Sequence, residues 1–136
     1  MEYIKVFKEA GQPTVAAPIY LCEKARQQLA NWQRLPVEQM QAEIVNEIES
    51  CNRFEFLAVD EGQIKAMMII TPEYDPHFGG FLMTRYTFSP DNQTLTPGYR
   101  WAIKVAKSLI LDGVMFSRQT EPYKIINQFK RLRNDQ

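Results

Sequence analysis

Residues 93–98 read Gln-Thr-Leu-Thr-Pro-Gly and lie between a β-rich run and an amphipathic one. A strand that feeds directly into a helix leaves the first backbone N–H groups of that helix unpaired. The helix dipole adds partial positive charge at the same place, so a pyrophosphate is a natural guest. Gly98 would let the backbone approach it closely. The same letters also spell an ordinary helix start, with Thr96 as N-cap and Pro97 at the first helical position. His77, the single histidine, has an intrinsic pKa suited to a general base, although a loop histidine also serves as a surface or turn residue. Cys22 and Cys51 are isolated, with no Cys-x-x-Cys. Neither a disulfide scaffold nor a metal site is expected, and a reducing, cytoplasmic setting fits.

The bulk numbers exclude other classes. Sixteen basic and sixteen acidic residues cancel, so no net field draws the chain to nucleic acid. No apolar run has the length to span a bilayer, and no membrane partner is expected. At 136 residues and 45% apolar composition, a single domain over 1–136 with one core is expected.

Elements to position these residues follow from periodicity. Residues 3–7 alternate as a first strand. Pro13 opens a helix running to about Trp32, with Pro18 early in it. A second helix spans about Pro36 to Ser50, with Met40, Ile44 and Ile48 on one face. Two apolar runs flank Asp60-Glu61-Gly62-Gln63, which is hairpin chemistry. A loop then leads to a strand at 81–88, and a helix follows from about Pro97 to Leu111. Its buried stripe is expected to hold Trp101, Val105 and Leu109, with Ala102, Ala106 and Ile110 beside them. Residues 114–117 read as a short buried strand. Residues 121–133 read as a last helix, with Pro122 in its first turn. The expected fold is α/β: a mixed sheet in the order β-α-α-β-β-β-α-β-α, a meander followed by a right-handed crossover, with helices on both faces.

This order resembles the GNAT family of N-acetyltransferases. Three stretches carry the resemblance. FLAVDEGQIKAMMII is similar to the family's second and third strands. FSPDNQTLTPG is similar to the end of its fourth strand and its acetyl-CoA loop, with Phe88-Ser89-Pro90 ahead of Gln93 and Gly98 at the first and last loop positions. INQFKRL is similar to the end of its fourth helix. Thr96 and Pro97 depart from the pattern, one replacing the middle glycine and the other lacking an N–H.

The resemblance implies transfer of an acetyl group from acetyl-CoA, or another acyl-CoA, to an amine acceptor. Gln93, Thr94, Leu95, Thr96 and Gly98 would hold the pyrophosphate, with Tyr99 and Asn127 also toward the cofactor. A bulge near Thr87 or Phe88 would turn a backbone N–H toward the thioester. The family's strand-4 carboxylate is absent, so the base would be Glu55, Glu73 (with Asp75 beside it) or His77. The fourth-helix tyrosine aligns with Phe129, which cannot donate a proton, so Tyr86 or Tyr123 would assist the thiolate.

The family usually continues into two further strands, which this chain is expected to lack. Residues 114–117 would then form an exposed apolar edge covered by a second copy or a protein partner. The alternative function is a non-catalytic GNAT-like assembly or binding component, the kind of trimmed domain that suits a viral or mobile-element protein. Lys130, Arg131 and Arg133 are read as a solvated helix end.

Overall fold

The computed structural model describes residues 1–91, 93–121 and 123–132. Among them, strands β1 (Glu2–Lys8), β2 (Arg53–Asp60), β3 (Gln63–Asp75), β4 (Gly79–Phe88), β5 (Gly113–Glu121) and β6 (Lys124–Arg131) form one sheet in sequence order. Every neighbouring pair is antiparallel except β4 and β5, which run parallel. The β2–β3 turn has φ of 52° at Glu61 and 75° at Gly62. Positive φ at both central residues is what the right-handed twist of a two-residue hairpin asks for.

The sheet has helices on both faces because its strands alternate two sets of apolar residues. Leu57, Met67 and Ile69 pack against α1 (Ile19–Gln28) and α2 (Val37–Glu49). Phe56, Ala58, Met68 and Ile70 pack against α3 (Thr96–Ser108). Met40, Ile44 and Ile48 form the buried stripe of α2, at the expected spacing. Among the described residues, no helix is long and apolar enough to cross a membrane.

Helix boundaries move for local reasons. α1 begins after Pro18, not at Pro13, and residues between them are tied down instead: the Thr14 amide donates to Glu49 and the Ala16 amide to the Thr14 hydroxyl. A 3-10 turn, Ala30–Trp32, takes over the expected end of that helix. α3 ends at Ser108, and Ile110 follows at φ 57° while the Leu111 amide bonds the Ala106 carbonyl. This reversed last turn leaves Leu109 and Ile110 exposed. The buried stripe of α3 is therefore Gly98, Ala102 and Ala106, with Trp101 and Val105 at its flank.

The largest correction is at the end of the chain. Residues expected as a fourth helix form β6, antiparallel to β5 from Gly113↔Arg131 to Glu121↔Lys124. Ile125 and Ile126 are β-branched, which favours a strand over a helix, and both are exposed on β6. Its aromatic anchor is Phe129, whose ring meets Phe78 at 4.6 Å and Phe81 at 5.9 Å. Pairing also supplies hydrogen bonds to β5, which runs to Glu121 and is not the short strand of 114–117. The observed order is thus β-α-α-β-β-β-α-β-β. The expected open edge at 114–117 does not exist, because the chain covers it itself. Pro122, Arg133 and residues 134–136 lie outside the described residues.

Candidate functional site

Strand β4 carries one residue too many for its partner. Ile70 pairs with Thr84, but Ile69 pairs with Tyr86, so Arg85 is extruded as a bulge. Even-numbered residues of a regular strand share one face. Here Leu82 lies in the α3 core, whereas Phe88 lies in the α1/α2 core with Tyr86 packed beside it. The inserted residue has reversed the second half of the strand. The bulge expected near Thr87 or Phe88 falls at Arg85.

Just before the bulge, β4 parts from β5. Their ladder consists of Phe81↔Gly113, Leu82↔Val114 and Met83↔Met115. Beyond it a side chain spans the gap: the Ser117 amide donates to the Thr84 hydroxyl at 2.9 Å. On the α3 side, Tyr99 and Phe116 meet edge to face at 4.7 Å. Burial pushes the Tyr99 phenol up, against a smaller lowering by Arg118.

The reversed half of β4 opens on a polar cleft of about 390 Å³, lined by Trp32, Arg34, Glu43, Asn46, Glu47 and Tyr86. The Tyr86 hydroxyl donates to the Glu47 carboxylate, from β4 to α2. Burial first, then that hydrogen bond and the Glu47 charge, pushes the Tyr86 phenol well above the usual tyrosine range. Arg34 and Glu43 pair across the mouth at 3.5 Å, both exposed. Behind Tyr86 lies a smaller apolar cavity of about 40 Å³, reaching Cys22, Met67 and Thr87. Glu47 lies off the buried stripe of α2. Its role in the cleft depends on a bulge, for which the residue pattern gives no signal.

The loop between β4 and α3 is organised around an internal anion. Asp91 Oδ1 accepts the Gln93 amide at 2.8 Å, the Thr94 amide at 2.7 Å and the Thr94 hydroxyl at 2.8 Å. Those bonds, the Thr94 amide foremost, hold the Asp91 carboxyl below its usual range. The Thr96 amide donates to the Gln93 carbonyl at 3.0 Å, and the Gly98 amide to the Leu95 carbonyl at 2.9 Å. Thr96 is the first helical residue and the buried Leu95 occupies the cap position, one residue earlier than expected. Gly98 faces the sheet: a Cβ there would stand 2.8 Å from Phe56 Cδ1. The glycine serves close helix–sheet packing.

The other candidates are dispersed. Glu55, expected as a candidate base, is 1% exposed, and its carboxylate takes the Arg53 Nε–H at 2.9 Å. Arg53 is fully buried and also donates to the carbonyls of Glu9, Cys51 and Gln12, so the pair ties β2 to the segment after β1. Glu73 lies on β3, not in a loop, and accepts the Thr71 hydroxyl at 2.8 Å. Glu73 pairs with Phe81, roughly 17 Å of strand rise from Tyr86. His77 sits in the β3–β4 turn, held by Asp75, whose carboxyl that backbone hydrogen bond keeps low. Tyr123 lies beside the β5–β6 turn at φ 63° and is 82% exposed. Asn127, on β6, accepts the Ser117 hydroxyl at 2.6 Å. Of the expected catalytic side chains, Tyr86 alone reaches the cleft.

No family model matches the chain, and no curated protein matches it. Among solved structures it is similar to an acetyltransferase of the GNAT family from Streptococcus pneumoniae, at 22% identity and a TM-score of 0.49, over 86% of this chain and 76% of that one. It is similar to an acyl-CoA N-acyltransferase from Pseudomonas aeruginosa, at 20% identity and a TM-score of 0.48, over 87% and 80%. It is also similar to a possible acetyltransferase from Clostridium difficile 630, at 10% identity and a TM-score of 0.42, over 88% and 82%. In its own topology the fold is GNAT-like: a meander, a bulged fourth strand, a crossover through α3, and a parallel pair that parts.

Proposed function

We propose that this chain is a GNAT-like N-acyltransferase, carrying an acyl group from an acyl thioester to an amine held in the cleft beside Tyr86 and Glu47. Acetyl-CoA is the donor that the family resemblance implies. The observation carrying this reading is the conjunction on one strand: β4 parts from β5 at Thr84, bulges at Arg85 and presents Tyr86 to a carboxylate at the next residue. A parted parallel pair offers backbone groups to an extended thioester arm, while the cleft on the other face offers an acceptor its base.

The donor fits in part. The parting suits its thioester end, with Thr84 and Ser117 as polar groups at the fork. Of the loop amides that would take its pyrophosphate, those of Gln93, Thr94, Thr96 and Gly98 are already bonded within the chain. When bound, the donor supplies an activated acyl carbon and a thiolate leaving group. The rest falls to this chain. Trp32 and Glu43 line the cleft that would receive an amine. As the amine nitrogen bonds to the acyl carbon and the carbon–sulfur bond breaks, the nitrogen sheds a proton to the Tyr86 oxygen, which passes its own to Glu47. The thiolate takes a proton from water.

The test is release of free thiol from acetyl-CoA at millimolar concentration in the presence of primary amines from ethylamine to spermidine. Turnover that is lost in Glu47→Gln supports the reading; no turnover with any of them overturns it. A second reading, a non-catalytic binding component, draws on β1. Among the described residues this edge strand has no outer partner, and it exposes Tyr3, Ile4 and Phe7.

A further inference from the structure

We infer that the donor is read through its acylated pantetheine arm alone, and that its nucleotide end goes unrecognised. The inference rests on the acyl-transfer reading and narrows its substrate class to pantetheine-type thioesters, with or without a nucleotide attached. It starts from hydrogen-bond accounting at the start of α3. A diphosphate bound at a helix start needs free N–H groups aimed outward. The amides of Gln93 and Thr94 both end on the Asp91 carboxylate, with the Thr94 hydroxyl beside them. The amides of Thr96 and Gly98 end on loop carbonyls. Pro97 has none to give.

Charge works in the same direction. Asp91 is an exposed carboxylate on the surface a diphosphate would have to approach. A phosphate there would meet like charge and could gain the Gln93 and Thr94 amides only by displacing hydrogen bonds to an ionised acceptor, which are among the stronger ones. Gly98 adds no opening of its own, because it is buried and its sheet-facing side is taken by the fully buried Phe56 ring. The loop is an anion site whose anion belongs to the chain. The parting of β4 and β5 lies on the strand before this loop and needs none of its amides, so an arm lying there makes its contacts whatever it is attached to.

The experiment compares acetyl-CoA with acetyl-pantetheine as donors in the thiol-release assay, and titrates inorganic pyrophosphate and 3′,5′-ADP by calorimetry. The unaltered chain is expected to use the two donors with kcat/KM values within about tenfold, since no remote binding energy is drawn from phosphates. It is expected to give no saturable heat with either phosphate compound at millimolar concentration. Asp91→Ala frees the two amides, and is expected to raise the preference for acetyl-CoA at least about tenfold and to bring measurable pyrophosphate binding. Asp91→Asn, which keeps an acceptor oxygen but loses the charge, is expected to fall between. A preference for acetyl-CoA above about tenfold in the unaltered chain, or pyrophosphate binding to it, overturns the inference and leaves acyl transfer standing. Failure of Asp91→Ala to gain either property also overturns it. Absence of turnover from both donors ends the acyl-transfer reading, and this inference with it.

Discussion

The Tyr86 hydroxyl on β4 donates to the Glu47 carboxylate on α2, joining residues 39 apart in the sequence across the mouth of the polar cleft. The contact exists because Arg85 is extruded from the β3–β4 ladder and turns Tyr86 away from the α3 core.

If this pair carries the amine's proton, each half is needed in the chemical step. Glu47→Gln and Tyr86→Phe are each expected to lower kcat by about 10²–10⁴-fold, the range of a positioned acid–base group. Thermal melts should stay near those of the unaltered chain, since each substitution keeps the size of its side chain and leaves its packing in place. A loss confined to KM would assign the pair to acceptor binding instead.

The same pair has an alkaline signature. Burial and Glu47 raise the Tyr86 phenol, so the fold favours its neutral form. That contribution is complete below the ordinary tyrosine value near ~10 and is lost as pH rises toward the raised folded value. Denaturant midpoints are expected to fall above pH ~10, and Tyr86→Phe should flatten that fall. The flattening should be partial, because Tyr99 is raised by burial as well. Identical pH profiles for the two proteins would remove Tyr86 from the account.

Arg53 and Glu55 make a structural prediction of the opposite kind. Both are buried, and Arg53 gathers carbonyls of Glu9, Cys51 and Gln12. Glu55→Gln leaves a buried guanidinium short of its counter-charge and is expected to cost about 3–5 kcal/mol. Circular dichroism melts would show it. Activity per folded molecule should be unchanged, which would distinguish Glu55 from a general base.

Gly98 tests packing in the same way. An alanine Cβ would press on Phe56, which has no room to retreat, and Gly98→Ala is expected to cost about 1–3 kcal/mol. Adding Phe56→Leu should recover part of that loss. Additive losses in the double variant would mean that the two residues do not press on each other.

What the residue pattern made legible was whatever a single element decides by itself. The β2–β3 hairpin follows from Glu61-Gly62, the buried face of α2 from Met40, Ile44 and Ile48, and the parallel pair from the crossover through α3. The misread parts depend on contacts made only when elements are assembled. Residues 124–131 carry enough polar positions to pass for a helix, and only the ladder to β5 makes them a strand. Glu55 looks like a surface charge until Arg53 is buried beside it. The cleft was hidden most completely, because Glu47 reads as solvated helix and a bulge leaves no periodic trace. QTLTPG was legible as a helix start. The anion that fills it, Asp91, stands just upstream and speaks only through its hydrogen bonds.

The bulge at Arg85 has a consequence at the level of the gene. Removing that one codon would restore the alternation of β4 without altering any other side chain. Tyr86 would then follow Thr84 directly, still opposite Ile69 on the α1/α2 face, and would keep Glu47 as its partner. Substituting Arg85 leaves the same pairing in place. At this position the register of β4 on β3, more than the number or identity of the residues between Thr84 and Tyr86, determines which side of the sheet Tyr86 occupies.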